Sequence, residues 1–174
     1  MKKWTIYLLL LILPVVLTAC ACNNTAAEPL PGTMEENVNR LMQANPAEFM
    51  GGLMPINLQD TSEEGLWALK SYTGLDSTEK ITDVAAYEPM TGSQAFSLVM
   101  VRVKNAGEAQ TVARQMKDNI NPRKWICAGA DQVMAAGYGD TVMFIMLDSA
   151  LGKTAQSYVD AFRSLCGGQL DFTI

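Results

Sequence analysis

Residues 95–103 have the sequence Ala-Phe-Ser-Leu-Val-Met-Val-Arg-Val, and this stretch decides how the rest of the chain can fold. The side chains of a β-strand point alternately to its two faces. One face of a strand here would carry Phe96, Leu98 and Met100, and the other would carry Val99, Val101 and Val103. Because both faces are apolar up to Arg102, we predict that the strand lies at the centre of a sheet and is covered on both sides.

Two hairpins supply the neighbours of this strand. Residues 81–88 precede it across a Pro-Met-Thr-Gly-Ser turn, and residues 131–138 and 141–147 flank Gly139-Asp140. The strand at 141–147 is again apolar on both faces, so we place it beside 95–103 at the centre. The predicted fold is therefore α+β, with a four-stranded antiparallel sheet in the order 1-2-4-3, counting only these strands.

Capping signals predict two helices before the first hairpin. Thr33 with Glu36 forms a capping box for a helix that ends before Asn45, and residues 60–62 start a second helix that stops near Gly74. Acidic pairs fall in the first turn of each helix, where the helix dipole favours negative charge. The stretch between the helices contains Gly51-Gly52 and Pro55, and we predict that it is irregular.

Two further helices are predicted at 105–120 and 153–166, from their caps and from apolar residues at helical spacing. We expect these two helices to cover one face of the sheet. The two N-terminal helices, or a partner protein, would cover the other face. Residues 169–174 could add a short edge strand.

The N-terminus has the layout of an export signal. Lys2 and Lys3 precede an apolar segment at 4–17, which is shorter than the roughly 20 apolar residues that cross a bilayer. The following Leu17-Thr18-Ala19-Cys20 resembles the lipobox of bacterial lipoproteins, whose cysteine is acylated and becomes the first residue after cleavage. The alternative is ordinary signal cleavage with Cys20 incidental.

This pattern predicts three regions: a lipoprotein signal peptide at 1–19, a polar tether at 20–32 that is anchored by lipid, and a single domain at 33–174. Two or three acyl chains on Cys20 would hold the protein in the membrane essentially without exchange, at about 0.8 kcal/mol per buried methylene. We therefore expect the mature protein on the outer face of the cytoplasmic membrane.

Export places the remaining cysteines in a compartment where disulfides persist. Cys22 lies at the membrane end of the tether, and its role is open. Cys127 and Cys166 fall inside the domain and could form a disulfide. The alternative is that both are buried free thiols that behave as small apolar residues.

Composition argues against several functional classes. The chain contains no histidine, which removes the commonest general base and the commonest zinc ligand. Its net charge of −5 would become about −7 without Lys2 and Lys3, so we expect no nucleic-acid partner. Met143 and Met146 have opposite parity on one strand and cannot share a metal ion. We therefore expect no metal, no cofactor and no catalytic residues.

Aromatic side chains offer one candidate for a ligand site. Trp67, Tyr72, Tyr87, Trp125 and Tyr138 could line a site for a sugar or a peptide, although aromatics in this number are normal in a core. The adjacent Lys70 and Ser71 do not form a dyad, because neighbouring residues of a helix diverge by about 100°.

Four stretches resemble a known family. They are Asp-Val-Ala-Ala-Tyr-Glu-Pro-Met at 83–90, the strand at 95–103, Asn-Pro-Arg-Lys-Trp-Ile-Cys at 121–127 and the Gly139-Asp140 hairpin. From Leu66 to Leu165 the chain is similar to the uncharacterised bacterial lipoproteins that share domain of unknown function 4358. The resemblance implies a lipobox, a polar tether and a single domain, mostly in Gram-positive bacteria. It implies no particular activity, cofactor or catalytic residue.

We therefore expect a lipoprotein without enzymatic activity that binds another component of the cell envelope. Incomplete cover of the sheet would expose apolar surface around Phe96, Leu98 and Met100, or around 141–147, to a protein partner or a second copy of the chain. The alternative is an extracytoplasmic enzyme or small-ligand receptor. A pocket with converging polar groups would favour that alternative, and a flat apolar patch would favour the interaction module.

Overall fold

The strand at 96–103 lies in the middle of the sheet in the structure, a computed structural model that describes residues 29–174. The strands are β1 (Gly51–Leu53), β2 (Ile81–Pro89), β3 (Phe96–Val103), β4 (Gln132–Tyr138), β5 (Thr141–Leu147) and β6 (Phe172–Thr173). The helices are α1 (Met34–Ala44), α2 (Glu63–Thr73), α3 (Ala109–Asn119) and α4 (Ala155–Leu165). Single 3₁₀ turns at Ala106–Glu108 and Ser149–Leu151 precede α3 and α4.

The sheet confirms the predicted class and the predicted centre. Its order is β1-β2-β3-β5-β4-β6, and every neighbouring pair is antiparallel. The four predicted strands keep their predicted order within it, with β3 and β5 at the centre. The predicted number of four strands is wrong, because β1 and β6 extend the sheet to six.

The strand β1 lies in the stretch that the sequence predicted to be irregular. It pairs with β2, Gly51 with Pro89 and Gly52 with Glu88. A Cβ atom on Gly51 would lie 2.6 Å from the ring of Tyr87 and 2.7 Å from the carbonyl oxygen of Glu88, whereas one on Gly52 would meet no atom within 4 Å. Gly51 therefore permits the close strand pairing here instead of breaking it.

Each face of the sheet carries one N-terminal and one later helix. Helices α1 and α4 pack on the face of Phe96, Leu98 and Met100, while α2 and α3 pack on the face of Val99 and Val101. The prediction that α3 and α4 share a face is wrong. Helix α3 connects β3 to β4 and helix α4 connects β5 to β6, and the two strands of each connection are parallel. Both connections run toward the same edge of the sheet. They begin, however, on β3 and β5, which are antiparallel to each other. Right-handed crossovers then place the two helices on opposite faces.

Both faces are fully covered, so the predicted apolar docking surface on the sheet is absent. Phe96, Leu98 and Met100 are at most 1% exposed, and every residue of β5 is buried. The surface that incomplete cover would have offered on these strands is therefore not exposed, and the existence of a partner stays a prediction.

The helix ends follow the predicted local signals. Thr33 and Glu36 form the reciprocal capping box of α1, and Asn45 is its C-cap. Ser62 caps the start of α2, and Gly74 ends that helix in the left-handed conformation at φ 75°. Asn105 caps the 3₁₀ turn that precedes α3, so the regular helix begins later than predicted.

Two residues that the sequence analysis assigned to the tether, Leu30 and Pro31, contact the domain. Leu30 is 4% exposed and packs in the core with α1, and Arg102 donates a hydrogen bond to its carbonyl oxygen. The carbonyl oxygen of Pro31 accepts hydrogen bonds from Asn37 and Arg40 at 3.2 and 3.0 Å. The signal peptide, Cys20 and Cys22 lie outside the described residues. Within residues 29–174, no helix is long and apolar enough to cross a membrane.

We expect Arg102→Ala to release this N-terminal segment and to lower the free energy of unfolding by about 2 kcal/mol, because the hydrogen bond of a charged donor to Leu30 and the ion pair with Asp140 are lost. Arg102 holds Leu30 and also lies 3.4 Å from Asp140, with its side chain only 22% exposed. Urea denaturation measures the change, and limited proteolysis should show faster cleavage before α1. Arg163→Ala, which breaks the exposed pair with Asp160, is the control and should change stability by less than about 0.5 kcal/mol. Equal effects of the two variants would contradict the prediction.

Candidate functional site

A buried ion pair lies on the α2/α3 face, where β2 ends. The ammonium group of Lys124 donates to Oε1 of Glu88 and, at 3.0 Å, to the carbonyl oxygen of Ser71. The hydroxyl of Ser97 donates to the same Oε1 at 2.6 Å. The side chains of Lys124 and Glu88 are only 12% and 9% exposed. Oε1 of Glu88 on β2 therefore accepts hydrogen bonds from Ser97 on β3 and from Lys124 in the segment between α3 and β4.

The strand pattern and one folded loop bring these groups together. Glu88 has the same parity on β2 as Ala86, which packs in the α2/α3 core, and Ser97 lies on the neighbouring strand β3. The segment between α3 and β4 is held by hydrogen bonds from the backbone amide of Ile126 to Gly92 and from that of Ala130 to Pro122, at 3.1 and 2.8 Å. This loop carries Lys124 over the carboxylate of Glu88.

Two aromatic side chains lie beside the ion pair, and a third lines the same cleft. The Lys124 ammonium nitrogen lies 5.0 Å from the ring centroid of Tyr72 and 5.4 Å from that of Trp125, within cation–π range. Together with Trp67, which is 69% exposed, they border an open cleft of about 470 Å³. The cleft is lined by Trp67, Lys70, Ser71, Tyr72, Glu88, Asn119, Asn121, Lys124 and Trp125. Its size lies in the range of sites for small molecules.

One acceptor on the floor of the cleft is free. Both hydrogen bonds to Glu88 end on Oε1, and no group within residues 29–174 donates to Oε2. Oε2 is not fully buried, since the fully buried unpartnered atoms of the described residues belong to Asn37, Arg102 and Tyr158. Glu88 therefore presents one carboxylate oxygen to a ligand.

The charges on the floor compensate each other. Burial lowers the pKa of Lys124, and the neighbouring Glu88 carboxylate opposes that shift. Burial and the Glu88 charge both raise the pKa of Tyr72, so its hydroxyl stays protonated and can donate a hydrogen bond. The Lys124 ammonium is engaged by Glu88 and Ser71, so it is not a free cation for an anionic ligand.

The structure separates the five aromatic residues that the sequence proposed for a ligand site. Trp67, Tyr72 and Trp125 line the cleft, whereas Tyr87 and Tyr138 pack on the opposite face with α1 and α4. Sequence reasoning missed Glu88, Ser97 and Lys124. The available signal was a glutamate among the core-facing positions of β2.

The other residues that the sequence analysis considered do not form a reaction centre in the cleft. Lys70 pairs with Asp76 at 2.6 Å, and Ser71 contributes its backbone carbonyl to Lys124. Met143 and Met146 pack in the cores on opposite faces of the sheet, as their parity predicted. Within residues 29–174, no three Cys, Asp or Glu side chains are arranged to hold a metal ion.

The disulfide considered for Cys127 and Cys166 is not formed, and both are free thiols in the structure. Cys166 is buried on the α1/α4 face. Cys127 is exposed, two residues after Trp125, which packs on the other face. The sheet therefore separates the two elements from which these cysteines come. The alternative of two buried thiols holds for Cys166 alone.

We expect iodoacetamide at pH 8 to alkylate Cys127 in the native protein and to leave Cys166 unmodified. Burial, together with the nearby Asp171 charge, raises the pKa of Cys166 to about 12, so its reactive thiolate is scarce at that pH. Mass spectrometry of the cysteine peptides measures the labelling, and alkylation in urea, where both cysteines should react, is the control. Equal native labelling, or a disulfide-linked peptide, would contradict the prediction.

Large apolar side chains are exposed mainly around the cleft and at the same end of the sheet. They are Met50, Leu66, Trp67, Met90 and Ile126. The amide of Met90 bonds to the carbonyl of Met50, and that of Ile126 to Gly92, so these three residues lie by the β2–β3 turn. Exposed apolar surface is therefore found at this end and not on the sheet faces.

Comparison with protein-family models, with curated proteins and with solved structures finds no match to this chain. The resemblance to lipoproteins that share domain of unknown function 4358 stays a prediction. The functional interpretation therefore depends on the geometry of the cleft.

Proposed function

We propose that this protein is an exported lipoprotein, held at the outer face of the cytoplasmic membrane by acyl chains on Cys20, whose domain binds a ligand in the aromatic cleft without transforming it. The observation that carries the binding role is one cleft lined by Trp67, Tyr72 and Trp125 together with Glu88, whose hydrogen bonds leave one carboxylate oxygen free. Aromatic walls with a few placed polar groups are typical of ligand sites.

The chemistry of the lining residues supports binding over catalysis. Ser97 is fully buried beneath Glu88, so its hydroxyl cannot reach a ligand. The Lys124 amine is charged and engaged, and a nucleophilic amine must be neutral and free. The Glu88 carboxylate is already paired with Lys124 and also accepts a hydrogen bond from Ser97, so part of its acceptor capacity is used inside the protein.

A fragment screen tests the binding role. Saturation-transfer NMR of the detergent-solubilised mature protein with neutral, cationic and anionic ring compounds should identify a subset that binds. Their signals should be lost in Trp67→Ala and kept in Met50→Ala, a matched truncation of a side chain that is 77% exposed outside the cleft. Binding by no fragment, or equal binding to both variants, would overturn the assignment of the cleft.

Metabolic labelling with a fatty-acid analogue tests the anchor. The lipobox at 17–20 predicts that Cys20→Ala loses all label and leaves the membrane fraction or remains uncleaved. Cys22→Ala is the matched control, because it removes a thiol two residues away and should retain the label. Labelled Cys20→Ala protein would disprove the anchor and leave the cleft proposal intact.

A further inference from the structure

The charge balance of the cleft selects a neutral ligand. The ammonium of Lys124 already occupies the position between the rings of Tyr72 and Trp125 where a cationic ligand would bind. An anionic ligand would meet the free oxygen of Glu88 on the floor, and Glu63 and Glu64 beside Trp67 on the adjoining surface. Lys70, the other lysine that lines the cleft, is already paired with Asp76 at 2.6 Å. Both charged classes are therefore disfavoured.

The remaining surface is suited to a ring with one apolar face and hydroxyl groups at its edge. Trp67 is 69% exposed at the rim, and the flat apolar surface of an indole ring suits the C–H face of a pyranose ring. The Oε2 atom of Glu88 can accept a hydrogen bond from a hydroxyl group of the ligand, and a charged acceptor makes such a hydrogen bond strong. The lining residues Asn119 and Asn121 add side-chain amides.

The position of the cleft disfavours an extended peptide. Peptides that bind to sheets commonly pair with a free strand edge. The cleft lies over a face of the sheet, and its floor residue Glu88 belongs to β2, which has β1 on one side and β3 on the other. A carbohydrate needs no backbone pairing.

We infer, on the basis of the proposed function, that the cleft binds a neutral carbohydrate chain, with one pyranose ring against Trp67 and one hydroxyl donating to Oε2 of Glu88. The inference deepens the binding role by naming the class of ligand.

Tryptophan fluorescence and calorimetry test this with named probes: neutral hexasaccharides of glucose, of mannose and of N-acetylglucosamine, an acidic hexagalacturonate, and a pool of nine-residue peptides. We expect the detergent-solubilised mature protein to bind at least one neutral hexasaccharide with a change in tryptophan emission. Trp67→Ala should weaken that binding about ten-fold or more. Trp67→Tyr should restore most of it, and Met50→Ala should leave it unchanged.

The other outcomes separate this inference from the proposed function. Binding of the peptides alone, or of hexagalacturonate in preference to every neutral sugar, with the same loss in Trp67→Ala, would overturn the carbohydrate inference and keep the cleft as a binding site. Carbohydrate binding that is equal in Trp67→Ala and the parent protein would also overturn it. Binding of none of the probes, together with a negative fragment screen, would overturn both.

Discussion

Glu88→Ala is expected to lower the free energy of unfolding by about 3 kcal/mol, because breaking a buried ion pair leaves an uncompensated charge. The substitution removes the carboxylate that accepts from Lys124 and from Ser97. Lys124 keeps its hydrogen bond to the carbonyl of Ser71, but its side chain, only 12% exposed in the parent protein, is left without an anion. Urea denaturation at pH 7 measures the loss.

A double mutant separates the pair from its surroundings. Lys124→Met removes the buried cation, so Glu88→Leu combined with Lys124→Met should be less destabilising than the two single losses together. Asp76→Ala, which breaks the exposed pair with Lys70, is the control and should cost less than about 0.5 kcal/mol. Additive single losses, or a Glu88→Ala effect as small as the control, would contradict the prediction.

The loss in Glu88→Ala should also shrink as the pH rises. Burial already holds the pKa of Lys124 below its usual 10.5, and removal of the carboxylate removes the main influence that opposes this shift. At a pH between the lowered pKa of Lys124 in the folded protein and its ordinary pKa in the unfolded chain, the unfolded chain binds more protons than the folded protein. The free energy of unfolding therefore rises with pH in that range. The difference between parent and variant should therefore decrease between neutral pH and about pH 10.

Local signals were sufficient for most of the elements. The capping box at Thr33, the glycine at 74 and the Gly139-Asp140 turn are decided by neighbours in sequence, and each occurs where it was predicted. The centre of the sheet was predictable for a different reason. A strand that is apolar on both faces has only one place in a sheet where both faces are covered.

The errors concern contacts between distant parts of the chain. Two consecutive glycines, Gly51 and Gly52, are typical of a break between elements of secondary structure. They form a strand here because they pair with β2, where Tyr87 and Glu88 lie close to Gly51. The candidate site is non-local in the same way. Glu88 and Lys124 are 36 residues apart, and no periodic pattern relates them. Their meeting depends on the loop that folds back onto Gly92.

Phe96→Ala is expected to lower the free energy of unfolding by about 3 to 5 kcal/mol, the cost of an aromatic side chain removed from a packed core. Phe96 is 1% exposed, and its ring centroid lies 5.0 Å from that of Phe49, 5.3 Å from that of Tyr158 and 6.5 Å from that of Tyr87. Its removal would leave a cavity in the cluster where the loop before β1, two strands and α4 meet.

Phe96→Leu keeps most of the volume and should cost clearly less than Phe96→Ala, which separates the cavity from a general intolerance to change at this position. Trp67→Ala is the control for aromatic truncation, because it removes a larger ring that is 69% exposed, and its loss of stability should be below about 1 kcal/mol. Chemical denaturation of the three variants gives the comparison. A Phe96→Ala loss no larger than that of Trp67→Ala would mean that the aromatic cluster does not hold β3 against α4. The expected pattern is a large loss of stability in Phe96→Ala, and a loss of binding with nearly unchanged stability in Trp67→Ala, because Phe96 packs in the core and Trp67 lies at the rim of the cleft.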